Sequence, residues 1–247
     1  MSDTKTASET RALGPRSALQ LTAGSDHYRA YVGPPERFDF MSASQFGLLF
    51  QLGLRDHHRV LDFGCGSLRL GRLLIPFLQT GCYHGIDPNR WLIEEGIDRE
   101  LGRGAIDIKT PRFAYNDEFN CNIFGGTFDF IVAQSIVTHT GPDLLHRLLA
   151  TAAETMHVDT TFVFSYVRAN QPAPAPGKGW HYPHCVGYDE KHLDSALDEA
   201  GLQGVGLPWL HPGAVWHLAM RKGARIPSRE DLSVLNGKIV NGRAYKI

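Results

Sequence analysis

Two closely spaced glycines flanked by two acids carry the most legible chemistry in this chain. Asp62-Phe63-Gly64-Cys65-Gly66 grows out of a short apolar run, Val60 to Phe63, and Asp87 lies 21 residues beyond Gly66. Glycine lets backbone N–H groups approach a ligand closely at the mouth of a helix N-terminus. An acid at the end of the second strand can accept hydrogen bonds from both hydroxyls of a ribose. Asp62, two residues before the first glycine, suits a ligand that also carries a positive group. Together these residues predict the binding of a nucleotide-like cofactor. Position 69 narrows the choice. A dinucleotide turn wants a third glycine there, but the residue is Arg69, and the next glycine, Gly71, is out of phase. Arg69 and Arg72 are expected to cap or solvate the first helix, with a cofactor or substrate carboxylate as the sharper role.

The elements that must position these residues alternate along the chain. Arg59 to Leu78 reads as strand, glycine turn and helix, with the apolar run stopping near Pro76. An amphipathic helix precedes it, Ser42 to Gly53, with Phe46, Leu49 and Phe50 on one side. Cys82 to Asp87 is a second strand, and Pro88 opens a helix through Trp91 and Leu101 that Gly102 ends. Arg112 to Tyr115 is a third strand, followed by the polar turn Asn116-Asp117-Glu118. Phe128 to Gln134 is apolar without alternation, as a strand buried on both faces should be. A helix opened by Gly141-Pro142-Asp143 and a fifth strand, Thr161 to Val167, follow. Another helix, Asp189 to Ala200, leads into two closing strands, Leu202 to Leu207 and Ala214 to Arg221, around the Pro208–Gly213 turn. The expected fold is α/β: a doubly wound, mostly parallel sheet with right-handed crossovers, helices on both faces and an antiparallel terminal hairpin.

In these motifs the chain resembles the class I S-adenosylmethionine-dependent methyltransferases. The resemblance rests on DFGCG (Asp62 to Gly66), GID (Gly85 to Asp87) and FDFIVAQSIVTH (Phe128 to His139), and extends from Val60 to Arg221. It implies a seven-stranded sheet with a reversed last strand, and S-adenosylmethionine as cofactor, converted to S-adenosylhomocysteine. By resemblance, Asp62 and the turn Gly64-Cys65-Gly66 hold the methionine end and Asp87 the ribose. Asn116 and Asp117 address the adenine amino group, or form an ordinary turn. Gln134 and Ser135 border the transferred methyl. The aromatic segment Tyr28 to Phe40 folds over the cofactor as a lid, with Tyr31 and Arg37 as its contacts. Cys65 is most simply a small residue that fits the tight turn.

Methyl transfer from a sulfonium needs an aligned nucleophile and the exclusion of water. An acceptor hydroxyl or ammonium also needs a general base. His139 is the candidate, since it follows the fourth strand on the ligand-binding side and titrates near neutrality; the alternative is a structural histidine bonded to backbone. The 20-residue segment Arg168 to Gly187 is long for a strand-to-helix connection, usually about 2–6 residues, and should cover the acceptor with Trp180, His181, Tyr182 and His184. Trp209 and Trp216, with His211 and His217, are placed to add to that pocket or to pack on it. His181, His184 and Cys185 fall short of a four-ligand zinc spacing, and no metal is expected.

Whole-chain properties bound these readings. A 247-residue chain, 43% hydrophobic, can bury one sizeable core. Its net charge of −1 supplies no basic footprint for nucleic acid. The four cysteines are scattered, as reduced thiols would be, and neither an apolar leader nor a membrane-length run is present, so a cytoplasmic protein is expected. Residues 1–25 read as a mobile tail, 26–58 as a helical lid segment, 59–222 as the cofactor domain and 223–247 as a C-terminal extension. The favoured activity is methyl transfer to oxygen or nitrogen of a small or medium-sized acceptor, such as a metabolite, sugar or glycan end. The competing readings are an NAD-dependent oxidoreductase and a non-catalytic cofactor-binding or partner-binding subunit.

Overall fold

The structure, a computed structural model, describes residues 7–169 and 177–236. The PAPAP stretch after the fifth strand and the end of the C-terminal extension lie outside the described residues. The strands are β1 (Val60–Phe63), β2 (Tyr83–Ile86), β3 (Arg112–Ala114), β4 (Phe128–Ala133), β5 (Met156–Arg168), β6 (Gly187–Tyr188), β7 (Leu202–Leu207) and β8 (Val215–Arg221). The α-helices are α1 (Ala7–Arg11), α2 (Pro15–Ala18), α3 (Phe38–Gln51), α4 (Gly71–Phe77), α5 (Arg90–Gly96), α6 (Arg103–Lys109), α7 (Pro142–Glu154) and α8 (Glu190–Glu199).

The sheet runs β3-β2-β1-β4-β5-β8-β7, and β6 pairs with the end of β5 outside that path. β1 lies parallel to both β2 and β4, whereas β8 is antiparallel to both β5 and β7. This is the expected doubly wound sheet with a reversed strand in its terminal hairpin. Strand order reverses between β1 and β4, so the crevice beyond their carboxyl ends is where such a sheet takes a ligand. Successive strand residues point to opposite faces, and here both faces are apolar. Leu61, Phe63, Ile131 and Ala133 join α7 and α8 in one core layer. Val60, Phe130 and Val132 join α3 and α4 in the other.

The same alternation turns Asp62 toward the α4 layer, where the Tyr83 hydroxyl donates to its carboxylate at 2.8 Å. Gly71 explains itself in that layer too: a Cβ there would lie 2.8 Å from the Tyr83 hydroxyl. The glycine that is out of phase for a dinucleotide therefore serves helix–strand packing.

Several boundaries differ from the sequence expectation. α3 starts at Phe38 rather than Ser42, because Phe38 is buried against Tyr28 and Leu92. β5 starts at Met156, since α7 stops at Thr155, whose hydroxyl turns back to the Ala152 carbonyl. The helix opened after Pro88 passes into a π-helical turn, Ile97–Leu101, and a further helix, α6, follows. Residues 7–25, read as part of a tail, form α1 and α2. Ala18 is fully buried, and Arg11 pairs with Asp26 at 2.8 Å while lying 4.1 Å over the Trp91 ring.

Candidate active site

Beyond the carboxyl ends of β1, β2, β4 and β5 lies a cavity of about 530 Å³, large enough for a nucleotide-sized ligand with a small acceptor beside it. Its floor is the glycine turn. Gly64 and Gly66 both have positive φ, +67° and +51°. A Cβ on Gly64 would collide with the Ile136 side chain, and one on Gly66 would lie 2.7 Å from Val32. Packing of Ile136 and Val32 therefore excludes side chains from the turn, and Gly64 and Gly66 line the cavity with backbone, which fits a ligand held against it.

Asp87 stands at the end of β2 and is 7% exposed. One carboxylate oxygen accepts the Gly66 N–H at 3.0 Å and the other the Asn89 N–H at 2.8 Å. Burial raises its pKa, while those two backbone bonds pull the other way. Asn116 and Asp117 line the same end of the cavity after β3, and the Asn116 carboxamide oxygen accepts the Asn120 N–H at 2.9 Å. Gln134 and Ser135 close the floor after β4. Ser135 has φ +58° and its N–H donates to the Ser165 hydroxyl at 2.8 Å.

The roof has two parts. Tyr31, Val32, Gly33 and Arg37 come from the N-terminal segment, and Trp180, Tyr182, Pro183 and Cys185 from the connection after β5. That connection is pinned to the segment after β4: the Gly141, His181 and Val186 N–H groups pair with the carbonyls of Gly179, His139 and Thr138. The two parts meet where the Tyr182 hydroxyl donates to the Tyr31 carbonyl at 2.6 Å, with ring centroids 5.2 Å apart. Tyr31 in turn packs edge-on against Trp91. Replacing Tyr182 with Phe keeps the ring contact and removes the hydrogen bond, worth about 1 kcal/mol. The expected result is faster cleavage by protease near Tyr31 in the free protein, with a melting temperature lowered by no more than about 2–4 °C; wild-type proteolysis kinetics would count against a clasp.

His139 lines the cavity at the end of a 3-10 turn. Its Nδ1 lies 2.8 Å from the His184 carbonyl oxygen. A carbonyl only accepts, so Nδ1 carries the hydrogen and the neutral ring keeps a lone pair on Nε2. Burial lowers its pKa, opposed by the bond to His184.

Six of the residues expected at the site stand elsewhere. Asp62 and Cys65 lie beneath the turn rather than on the cavity wall. Burial pushes the Asp62 carboxyl up to about 7, against the pull of the Tyr83 hydroxyl and Arg69, and the Cys65 sulfur packs beside Gly85. Trp216 is fully buried in the core opposite Ser165 and Leu207. Trp209 turns to α3, where its indole N–H donates to Ser44 at 2.9 Å. His181 faces outward and its Nε2 is 2.8 Å from the Gly177 carbonyl. His184 acts through its backbone carbonyl on His139 and is absent from the cavity lining.

Other residues enter that the motifs did not single out. Phe119, Ile136 and Val32 supply apolar wall. His211, which the sequence placed at this pocket or packed on it, does line the cavity: it comes in from the β7–β8 connection, its Nε2 3.4 Å from the Gln134 Nε2. Arg69 is the largest departure. Instead of solvating the helix it is buried at the cavity edge, donating to the Val32 carbonyl at 2.7 Å and to the Gln134 carboxamide oxygen. Burial lowers its pKa to about 10, with Asp62 opposing. Among the described residues no carboxylate forms an ion pair with it.

Known proteins bear on this arrangement. A family profile described as "Methyltransferase domain" matches residues 31–207. No curated protein matches the sequence significantly. Among solved structures, the DhpI complex with S-adenosylhomocysteine superposes with a TM-score of 0.57 at 15% identity, over 88% of this chain and 95% of that one. Magnesium protoporphyrin IX methyltransferase (ChlM) from Synechocystis PCC 6803 with bound S-adenosylhomocysteine gives 0.56 at 14% identity, over 76% and 84%. CalS10, an amino pentose methyltransferase from Micromonospora echinaspora, with bound S-adenosylmethionine, gives 0.55 at 13%, over 75% and 92%. At such identities the superpositions speak for the fold. Neither the oxidoreductase nor the non-catalytic reading gains support from any of them. With the profile spanning most of the chain and the sheet order, glycine cradle and Asp87 in place, the chain belongs to the class I S-adenosylmethionine-dependent methyltransferases.

Proposed function

We propose that this methyltransferase acts on an oxygen or nitrogen of a small or medium-sized acceptor, a metabolite, sugar or glycan end, with His139 as general base. The observation that carries this reading is the bond from His139 Nδ1 to the His184 carbonyl, which leaves a proton-accepting Nε2 on a side chain of the cavity wall. The neighbours named for porphyrin and amino pentose acceptors support a small-molecule acceptor.

When bound, S-adenosylmethionine supplies an already activated methyl group on its sulfonium. In this reading Asp87 accepts from the ribose hydroxyls, and Asn116 and Asp117 meet the adenine. Gly64 and Gly66 let backbone approach the methionine end, whose carboxylate pairs with Arg69, and Tyr31 covers it. Gln134 and Ser135 border the reacting centre. Trp180, Tyr182 and Phe119 wall the acceptor side and exclude water. His139 takes the acceptor's proton onto Nε2 as the new bond forms.

No helix among the described residues is long and apolar enough to cross a membrane, and a cytoplasmic setting is part of the same proposal. The test of the base is a kcat–pH profile of the wild type and His139→Ala on any acceptor that turns over. Catalysis needs the neutral ring and burial lowers its pKa, so activity should persist below the ordinary imidazole range and fall as pH drops through the lowered value. The variant should lose about a hundredfold in kcat with S-adenosylhomocysteine affinity unchanged. Wild-type turnover across the profile would remove His139 as base.

A further inference from the structure

The cavity is electrostatically two-ended. Its lining carboxylates among the described residues are Asp87 and Asp117, which follow β2 and β3. Its lining guanidinium groups are Arg37, from the 3-10 turn Pro35–Arg37, and Arg69, from the turn before α4. His211 completes that second end, and both arginines act on it electrostatically, adding to the burial that holds its pKa at about 4.

Counting hydrogens at this end leaves a surplus of donors. Arg69 takes the Gln134 carboxamide oxygen, which fixes the amide so that its nitrogen faces Ser135 Oγ at 2.5 Å and His211 Nε2 at 3.4 Å. His211 Nδ1 accepts the Gly213 N–H at 3.2 Å, so the neutral ring carries its hydrogen on Nε2. An amide N–H and a ring N–H thus confront each other beside a guanidinium, with no acceptor from the described residues between them. Arg37 adds a fourth donor group. Among the described residues its one ion-pair contact is with the neighbouring Glu36 at 4.0 Å, and both side chains are half-exposed. Facing donors satisfy one another only through an oxygen acceptor, and a charged oxygen is favoured where cations gather.

The cofactor brings a single carboxylate, which the function proposed above gives to Arg69, buried beside the glycine turn. With that carboxylate taken, Arg37, which the resemblance assigned to the lid over the cofactor, and His211 on the β7–β8 connection are free for another anion. We propose that the acceptor is itself an acid, with a carboxylate or phosphate group held by Arg37 and His211 and by the Gln134 amide. This deepens the function proposed above, and rests on it, by naming a substrate class: a small acid methylated at a hydroxyl or amine.

The test uses the full chain saturated with S-adenosylhomocysteine and titrated calorimetrically with two probe pairs: para-hydroxybenzoate against para-hydroxybenzamide, and phenyl phosphate against phenol. The acid of at least one pair should bind about tenfold or more tighter than its neutral partner, as a charge-assisted contact predicts. Arg37→Met combined with His211→Asn should abolish that preference while S-adenosylhomocysteine still binds, and Arg37→Lys should retain it. Equal affinity within both pairs, no binding of either acid at millimolar concentration, or a preference that survives the double variant overturns the proposal. Loss of S-adenosylhomocysteine affinity in the double variant would also overturn it, because the anion seated there would then be the cofactor's own carboxylate. Failure of the wild type to bind S-adenosylhomocysteine would instead strike the cofactor reading, and the acid preference could still be measured on the protein alone.

Discussion

Replacing Asp87 with Ala is expected to weaken S-adenosylhomocysteine binding by about a thousandfold. Two hydrogen bonds from ribose hydroxyls to a buried carboxylate are worth roughly 1.5–3 kcal/mol each, and each 1.4 kcal/mol is a factor of about ten. The substitution also frees the Gly66 and Asn89 N–H groups, which the carboxylate now holds at 3.0 and 2.8 Å, so the cradle loses its brace as well as its ribose contact. Asp87→Asn keeps one acceptor oxygen and should fall between the two. The pH dependence follows from the raised pKa, which burial dominates. Only the ionised form accepts from both hydroxyls, so wild-type affinity should drop as pH falls through a value above the ordinary carboxylate range. In Asp87→Asn that dependence should vanish. Calorimetric titration checks both points, and Asp87→Ala protein that melts like the wild type and binds as tightly would take the ribose role away from Asp87.

Such residues were legible in the sequence because their signals are local. The run from Val60 to Gly66 is strand and turn in consecutive residues, and Asp87 comes one strand later at a spacing the fold itself sets. The apolar run Phe130 to Ala133 of β4 announced burial on both faces, and the Pro208–Gly213 turn announced the reversed hairpin. Legibility stopped where a side chain's neighbours are distant in the chain. Arg69 looked like a helix-solvating residue, yet its partners, Val32 and Gln134, lie 37 and 65 residues away. Trp216 and Trp209 sit in and beside a strand apolar on both faces, where alternation alone does not say which face meets the ligand. Asp62 shows the same limit in reverse: a motif position directs attention to the ligand, but strand alternation sends the side chain to Tyr83. Residues 7–25 look like a tail by composition, since small and polar residues carry little periodicity, but a buried alanine, an arginine over Trp91 and the bonds from Arg99 to the Arg11 and Leu13 carbonyls dock them.

Glu100 offers the largest expected effect on stability, and it too was invisible to motif reading. Its side chain is 7% exposed, and its two oxygens divide between Arg29 at 2.5 Å and Arg72 at 2.9 Å. The Tyr28 hydroxyl donates to it at 2.9 Å. Arg72 continues to Asp39 at 2.7 Å and to the Ser42 hydroxyl at 3.1 Å, and both arginines lie over the Phe38 ring, at 4.6 and 5.2 Å. One carboxylate therefore ties the N-terminal segment to α4, and with it Tyr31 and Val32 over the glycine turn. In Glu100→Ala two largely buried guanidinium groups share Asp39, which is mostly solvent-exposed and a weak partner for that reason. Stranding buried charge in this way costs about 3–5 kcal/mol, equivalent to a fall in melting temperature of roughly 6–20 °C for a chain of this size. Arg29→Met with Glu100→Leu replaces the pair by apolar groups and should recover part of the loss, since burial of matched apolar side chains often equals a buried ion pair. Cofactor affinity should follow stability down in Glu100→Ala, because the segment that covers the turn is the one released. Scanning calorimetry with and without S-adenosylhomocysteine separates the two effects. A melting temperature within about 2 °C of wild type would mean that the N-terminal segment is held by Tyr28 and Phe38 packing alone.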